Sequence, residues 1–263
     1  MNEKTPLIVK KEEPLCIITI DNPEKRNSLT PECLSQIIRT FDEFAQDETI
    51  RVVILRGKGD VSFSAGADIT EMPGEVEDDS MGIHDDVVLA LEAIQGYAYP
   101  VIAMLNGYAL GAGCMLAMAC DIRIAAPHVK MGIPACRMGL VSDYRIYRRF
   151  LTVLGYSAAL ELFVTGRFYD SARCLDVGLV NYVVDSDQLE SFTHDLAGEI
   201  MKCAPLALKG SKYILKCLSE NPEPSTQDLN AFKSLTINAL RSQDHREAKQ
   251  AFAEKRKPRF IGR

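Results

Sequence analysis

Apolar positions along the chain follow two rhythms. Short runs rich in β-branched and aliphatic residues, Leu15–Ile20, Arg51–Leu55, Val101–Leu105 and Asp121–Ala126, have the length and make-up of buried strands. Asp21-Asn22-Pro23 ends the first of them as a turn. Between the runs the spacing changes to three and four. Leu34, Ile37, Ile38, Phe41 and Phe44 share one face of a helix reaching to about Ala45. Thr30-Pro31-Glu32 opens that helix with a capping hydroxyl, a proline in the first turn and an acid. A second helix is expected over 83–94, and the acidic, turn-rich stretch 73–81 before it reads as a surface loop. Strands alternating with helices indicate an α/β core.

Beyond about residue 186 the pattern becomes helical throughout. Residues 187–202, 205–218, 225–241 and 244–256 read as helices, broken at Pro205 and at Asn221-Pro222-Glu223-Pro224. This stretch is too short for a large core of its own and is expected to pack on the first region or on another copy of the chain. The expected division is 1–190 and 191–263. No fixed-period repeat and no low-complexity segment occurs.

Composition narrows the classes. With 263 residues, 47% of them hydrophobic, the chain can bury a sizeable core in one large domain, or in one domain with an appendage. No apolar run approaches the ~18 residues of a membrane span. Met1-Asn2-Glu3-Lys4-Thr5-Pro6 has neither the apolar core of a signal peptide nor an arginine-rich amphipathic pattern, so the expected location is the cytoplasm. A net charge of -6 argues against nucleic acid as a partner. The eight cysteines form no C-x-x-C pair and read as small buried hydrophobes in a reducing compartment. The four histidines lack ligand spacing, so no metal site is expected.

Two small-residue turns follow strands in the α/β half: Phe63-Ser64-Ala65-Gly66-Ala67-Asp68-Ile69 and Asn106-Gly107-Tyr108-Ala109-Leu110-Gly111-Ala112-Gly113-Cys114-Met115. The second leads into Leu116-Ala117-Met118-Ala119, which reads as a buried helix. The first amides of such a helix have no partner within it, and its dipole favours negative charge there. If the turns converge, two backbone N–H groups can grip one oxygen. That is an oxyanion hole, suited to a thioester carbonyl becoming an enolate or a tetrahedral adduct, and one such donor is worth ~3–4 kcal/mol of barrier. Spacing alone leaves a plainer alternative open, in which small residues simply permit close packing.

These two segments closely resemble the signature segments of the enoyl-CoA hydratase/isomerase (crotonase) superfamily. Asn22-Pro23-Glu24-Lys25-Arg26-Asn27-Ser28-Leu29 is similar to the family's N-terminal coenzyme A contact turn. Ala251-Phe252-Ala253-Glu254-Lys255-Arg256-Lys257-Pro258-Arg259-Phe260 is similar to its C-terminal helix. The resemblance spans nearly the whole chain, with the motifs in order. It implies an α/β fold built as a spiral of ββα units, with a C-terminal helical trimerisation region and trimers often paired into hexamers. It also implies an acyl-CoA thioester substrate, with coenzyme A entering as part of the substrate and no further cofactor. By position, the amides of Ala67 and Ala112 form the oxyanion hole. The family usually has glycine at the second of these; alanine keeps the N–H provided its φ is negative. Ala65, Ile69, Gly111, Met115 and Ala135 then line the substrate site. Lys25 and Arg26, with Lys255 and Lys257 from a neighbouring subunit, are placed to meet phosphates, and Asp68 braces the first turn.

The chain also departs from the family's pattern. Hydratases of the family carry two glutamates that hold and activate water; the matching positions here are Met115 and Ala135, neither of which can move a proton. Cys136 lies beside the second position and reads as packing. A different acid appears in Gly139-Leu140-Val141-Ser142-Asp143-Tyr144, where most relatives have a Pro-Gly-rich turn and where dienoyl-CoA isomerases and 4-chlorobenzoyl-CoA dehalogenases of the family carry an aspartate. Asp143 is therefore the candidate acid/base, although Ser142 and Asp143 suit equally well the opening of a helix that runs to about Leu154. Tyr144 is a candidate proton donor. Arg145 either binds a carboxylate on the acyl group or pairs with Asp143 and keeps it ionised. The leading expectation is an acyl-CoA enzyme that isomerises a double bond or hydrates a dienoyl-CoA in an atypical way. The alternatives are decarboxylation, hydrolysis or dehalogenation on the same fold, or a non-catalytic CoA-binding subunit.

Overall fold

The computed structural model describes residues 5–68 and 83–263. Leu7–Glu12 (β1) and Leu15–Ile20 (β2) form an antiparallel pair. A short 3-10 turn at Pro23–Lys25 precedes the helix Pro31–Gln46 (α1), followed by strands Val52–Gly57 (β3) and Ser62–Ser64 (β4). Ile83–Gly96 (α2), Val101–Leu105 (β5), Tyr108–Leu110 (β6) and Ala112–Ala119 (α3) come next. Ile122–Ala125 (β7), Lys130–Gly132 (β8) and Tyr144–Thr165 (α4) follow. Tyr169–Asp170 (β9), Ser171–Asp176 (α5) and Tyr182–Val183 (β10) lead to four helices: Leu189–Met201 (α6), Pro205–Glu220 (α7), Thr226–Arg241 (α8) and Gln243–Ala253 (α9).

A strand–strand–helix unit recurs as β3-β4-α2, β5-β6-α3 and β7-β8-α4. The first strand of each unit joins a six-stranded sheet ordered β1-β2-β3-β5-β7-β10, parallel except for β1 against β2. The second joins a four-stranded sheet ordered β4-β6-β8-β9. This is the expected spiral of ββα units. The units begin at residues 52, 101 and 122, so the recurrence leaves no fixed period in the sequence.

The apolar pattern explains these placements. All five residues of β5 are buried, as a central parallel strand requires. On α1 the buried face is Cys33, Leu34, Ile37, Thr40, Phe41 and Phe44, and the Thr30 side chain accepts the Cys33 N–H at 3.2 Å as the N-cap. Each large apolar side chain removed from water in this way contributes ~1.5–3 kcal/mol. The helix α6 packs across β3, β5 and β7. The 190/191 division thus falls inside α6, a helix seated on the sheet.

Other elements differ from expectation. Five of the six residues of β1 are exposed, so that edge strand has no hydrophobic signature and is held through its ladder to β2. The strands of the second sheet have only two or three residues each, too few to show a period. The helix expected to stop near Leu154 is interrupted at Gly155 (φ 72°, ψ 169°) and resumes to Thr165. Cys136 and Cys203 are exposed rather than buried. Among the described residues no helix is long and apolar enough to cross a membrane. Ile69 and the stretch 73–81 lie outside the described residues, apart from which every candidate site residue is placed.

Candidate active site

The first turn leaves β4 and is stitched to the segment after the 3-10 turn. The Ala65 N–H donates to the Arg26 carbonyl at 3.0 Å, the Leu29 N–H to the Gly66 carbonyl at 2.8 Å, and the Asp68 N–H to the Leu29 carbonyl at 3.1 Å. The Ala67 N–H, in the middle of this ladder, donates to no acceptor among the described residues. The second turn leaves β6. Its Gly111 N–H donates to the Gly132 carbonyl at 2.8 Å, and the Met115 N–H is the first to bond back within the turn, to the Gly111 carbonyl at 3.1 Å. Ala112, the first residue of α3, therefore also has a free amide among the described residues. Positive φ at non-glycine residues is confined to Arg26, Asn27 and Lys255 among those described, so alanine at 112 is unstrained.

The two turns converge because glycines let their backbones touch. A Cβ on Gly66 would lie 2.7 Å from the Leu110 carbonyl oxygen and 3.2 Å from the Ala112 nitrogen. One on Gly113 would lie 2.8 Å from the Ser64 Cβ and collide with the Ser64 carbonyl. Any side chain here would push the two amides apart.

The junction opens into a cavity of about 130 Å³. Ala65, Ala67, Gly111, Ala112, Met115, Ala135 and Asp143 all line it, so the structure brings together seven residues singled out by the sequence. Ala135 reaches it from a 3-10 turn at Pro134–Met138, and Asp143 from the N-cap of α4. His84, in the first turn of α2, also lines it. The sequence gives no sign of it, because a lone histidine after an acidic stretch carries no motif. A larger cavity of about 820 Å³ adjoins, bounded by α2, α3, α4 and α7; Val88, Met115 and Ile146 line both.

Asp143 has two roles in the geometry. Its Oδ1 accepts the Arg145 N–H at 2.8 Å, which makes it the N-cap of α4, and also the Arg145 Nε at 2.8 Å. Its Oδ2 accepts the Arg145 Nη2 at 3.1 Å. The Arg145 guanidinium holds the Asp143 carboxyl below the usual carboxylate range, against the opposing effect of burial. The Arg145 Nη1 reaches Glu92 Oε1 at 2.8 Å. Of the two roles open to Arg145, the observed one is pairing with Asp143.

Lys25, Arg26, Asp68, Tyr144, Arg145 and Lys255 do not line the small cavity. Tyr144 is 69% exposed and lines neither cavity, its ring 5.8 Å from the Arg145 guanidinium carbon. In the first turn of α4 the buried position belongs to Ile146, which leaves Tyr144 on the solvent side. The hydroxyl bonded in this turn is that of Tyr147, which accepts the Ser142 N–H at 3.1 Å. Lys25 lines neither cavity; its Nζ lies 3.0 Å from the largely buried Asp68, an ion pair between the 3-10 turn and the first turn. Arg26 contributes its carbonyl to that turn. Lys255 follows the end of α9 and lines neither cavity.

Known proteins resemble this chain over its whole length. The family model described as enoyl-CoA hydratase/isomerase matches residues 10–263. A short-chain-enoyl-CoA hydratase from Clostridium acetobutylicum is 33% identical over 259 residues, 97% of each chain. A 2,3-dehydroadipyl-CoA hydratase from Escherichia coli is 31% identical, covering 98% of this chain and 99% of its own. The crystal structure of an enoyl-CoA hydratase from Bacillus anthracis superposes with a TM-score of 0.90 at 28% identity, over 98% of this chain and all of the other.

Proposed function

Because the chain belongs to the enoyl-CoA hydratase/isomerase family, we propose that it shifts a double bond in an acyl-CoA thioester, holding the enolate on the amides of Ala67 and Ala112 and moving the proton with Asp143. The observation that carries this reading is the single small cavity lined by Ala67, Ala112 and Asp143 together. Met115 and Ala135 line the same cavity, and the motifs around them match positions where hydratases of the family carry glutamates.

The chemistry follows from these positions. The thioester oxygen sits between two preorganised N–H donors, which strengthen their hold as negative charge develops on it. Asp143, held ionised by Arg145, has its acceptor form in place at neutral pH, at some cost in basicity. It takes a proton from a carbon made acidic by the thioester and the neighbouring double bond. Once loaded it is a strong acid for the same reason that it was ionised, and it returns the proton to the far carbon of the dienolate. One C–H bond breaks, another forms, the double bond moves, and neither water nor an oxidant is consumed. Lys25 and Arg26, beside the first turn, and Lys255 from a neighbouring copy, serve the phosphates of coenzyme A. Phe252, 87% exposed, and Leu215, Leu229 and Leu240 give α7–α9 an apolar surface suited to self-association as a trimer or hexamer.

A second reading is favoured by the names of the relatives: all three proteins cited above are named hydratases. In that case Asp143 activates a water that adds to a dienoyl-CoA. Mass spectrometry in heavy water separates the two. Enoyl- and dienoyl-CoA thioesters are incubated with the enzyme, and isomerisation is expected to introduce deuterium without the mass of water. Gain of water establishes hydration and removes the first reading. Asp143→Asn is expected to lower kcat by ~10²–10⁴ while thioester affinity persists, since the amide keeps the helix cap but cannot accept a proton. Unchanged turnover in that variant would leave Asp143 as a cap only.

A further inference from the structure

The larger cavity continues the small one along α3. Ala112, Met115 and Ala119 fall on one side of that helix, and Met115 and Ala119 both line the larger space. At ~1.5 Å of rise per residue, Ala119 lies about 10 Å along the axis from Ala112. Among the described residues, Val88, Met115 and Ile146 line both spaces, and Met115 is an unbranched thioether that can change rotamer. A thioester seated at Ala112 thus has a path for its acyl chain past Met115.

The charges at the far end are unbalanced. Each of the three carboxylates lining the larger cavity faces a cation: Glu92 is 2.8 Å from Arg145, Asp121 is 2.7 Å from Lys212, and Glu220 is 4.0 Å from Lys216. Arg148 and Arg149 line it too, and neither has an ion pair among the described residues. Arg149 is largely withdrawn from water. Its Nε donates to the Met118 carbonyl at 2.8 Å and its Nη2 to the Cys120 carbonyl at 3.2 Å, at the end of α3. Burial pulls its pKa down, and the nearby Asp121 and Glu220 carboxylates, each already facing a lysine, offset that only in part. A guanidinium has five N–H groups, so most of its donors remain for a ligand, and a cation held partly out of water favours an anion beside it. Arg145 cannot take that role, since Asp143 and Glu92 already engage its guanidinium.

We propose that the larger cavity receives the distal end of an acyl chain bearing a terminal carboxylate, with Arg149 and Arg148 as its receptor, so that the substrate class is an ω-carboxyacyl thioester. This rests on the reading that the thioester lies at Ala67 and Ala112. A charged, bidentate contact gives such a chain an advantage that a neutral chain of equal length lacks.

Calorimetric titration with saturated, unreactive thioesters tests this, using the equal-length pairs hexanoyl-CoA with adipoyl-CoA and octanoyl-CoA with suberoyl-CoA. In at least one pair the ω-carboxy member is expected to bind about tenfold more tightly. Arg149→Gln and Arg148→Gln should each shrink that preference, and Arg149→Lys should keep part of it. Arg149 also ties the end of α3, so circular dichroism accompanies its variants. Arg148, whose side chain enters no hydrogen bond among the described residues, carries the test if they unfold. Equal affinities within both pairs, or a preference that survives the double replacement, overturns the carboxylate receptor while leaving the thioester site standing. Failure of all four thioesters to bind overturns both.

Discussion

At the scale of single residues, Asp143 joins a structural duty to a chemical one, and variants separate them. Asp143→Ala removes the cap of α4 and should lower stability by ~0.5–2 kcal/mol, whereas Asp143→Asn keeps an equally good capping oxygen and should cost only a few tenths. Acid should expose the charge itself. The folded-state pKa of Asp143 is depressed by Arg145, so its contribution is complete above the unfolded value of about 4 and is lost as pH falls through the lower folded value. On acidification from about pH 5 towards about pH 2, thermal melts of wild type should therefore lose this increment, and melts of Asp143→Asn should not. Gly113 gives the second prediction at this scale. A methyl group there meets Ser64 at 2.8 Å, so Gly113→Ala should cost ~1–3 kcal/mol in urea unfolding. Displacing the Ala112 amide should also cut kcat by ~10²-fold or more.

At the scale of elements, long apolar runs and capped helices were legible in the sequence, and elements specified by their neighbours were not. Val101–Leu105 was expected with the bounds it has, because a continuous apolar run between turns has few alternatives. The helix from Pro31 was legible through Thr30 and its apolar stripe. By contrast β8 and β9 are short strands defined by a ladder to one another, with β8 also paired to β6, and nothing in Lys130–Gly132 announces that. The candidate site divides in the same way. The two turns could be read because their small residues sit at chain-order landmarks. His84 could not, because its place in the cavity depends on how α2 docks. Tyr144, a candidate proton donor by position, lies on the solvent side of α4: the pattern locates the start of that helix but not which side of its first turn faces inward.

At the scale of the molecule, α7 is tied to the spiral by specific polar contacts. Lys212 on α7 reaches back to Asp121 at 2.7 Å and to the Tyr99 carbonyl at 2.9 Å, while Asp121 also accepts the Val101 N–H at 2.8 Å. Burial lowers the Lys212 pKa despite its partner, so the ammonium is held there under strain of solvation. Removing the acid should then hurt more than removing the base. Asp121→Ala should cost ~2–4 kcal/mol, because it strands a partly buried charge and a strand amide, and Lys212→Met less than half of that. Chemical unfolding midpoints of the two variants measure the asymmetry. The junction of Gly66 with Ala112 has a wider consequence. The groups proposed to bear the negative charge of the reaction are main-chain amides, and no single codon can delete an amide without replacing its residue by proline. The proton carrier is a side chain, and one base change can discard or relocate it. A gene for such a scaffold can therefore drift from one reaction to another without passing through a protein that has lost its grip on the thioester. Its history would be recorded at positions 115, 135 and 143, and hardly at all in the turns that hold the substrate.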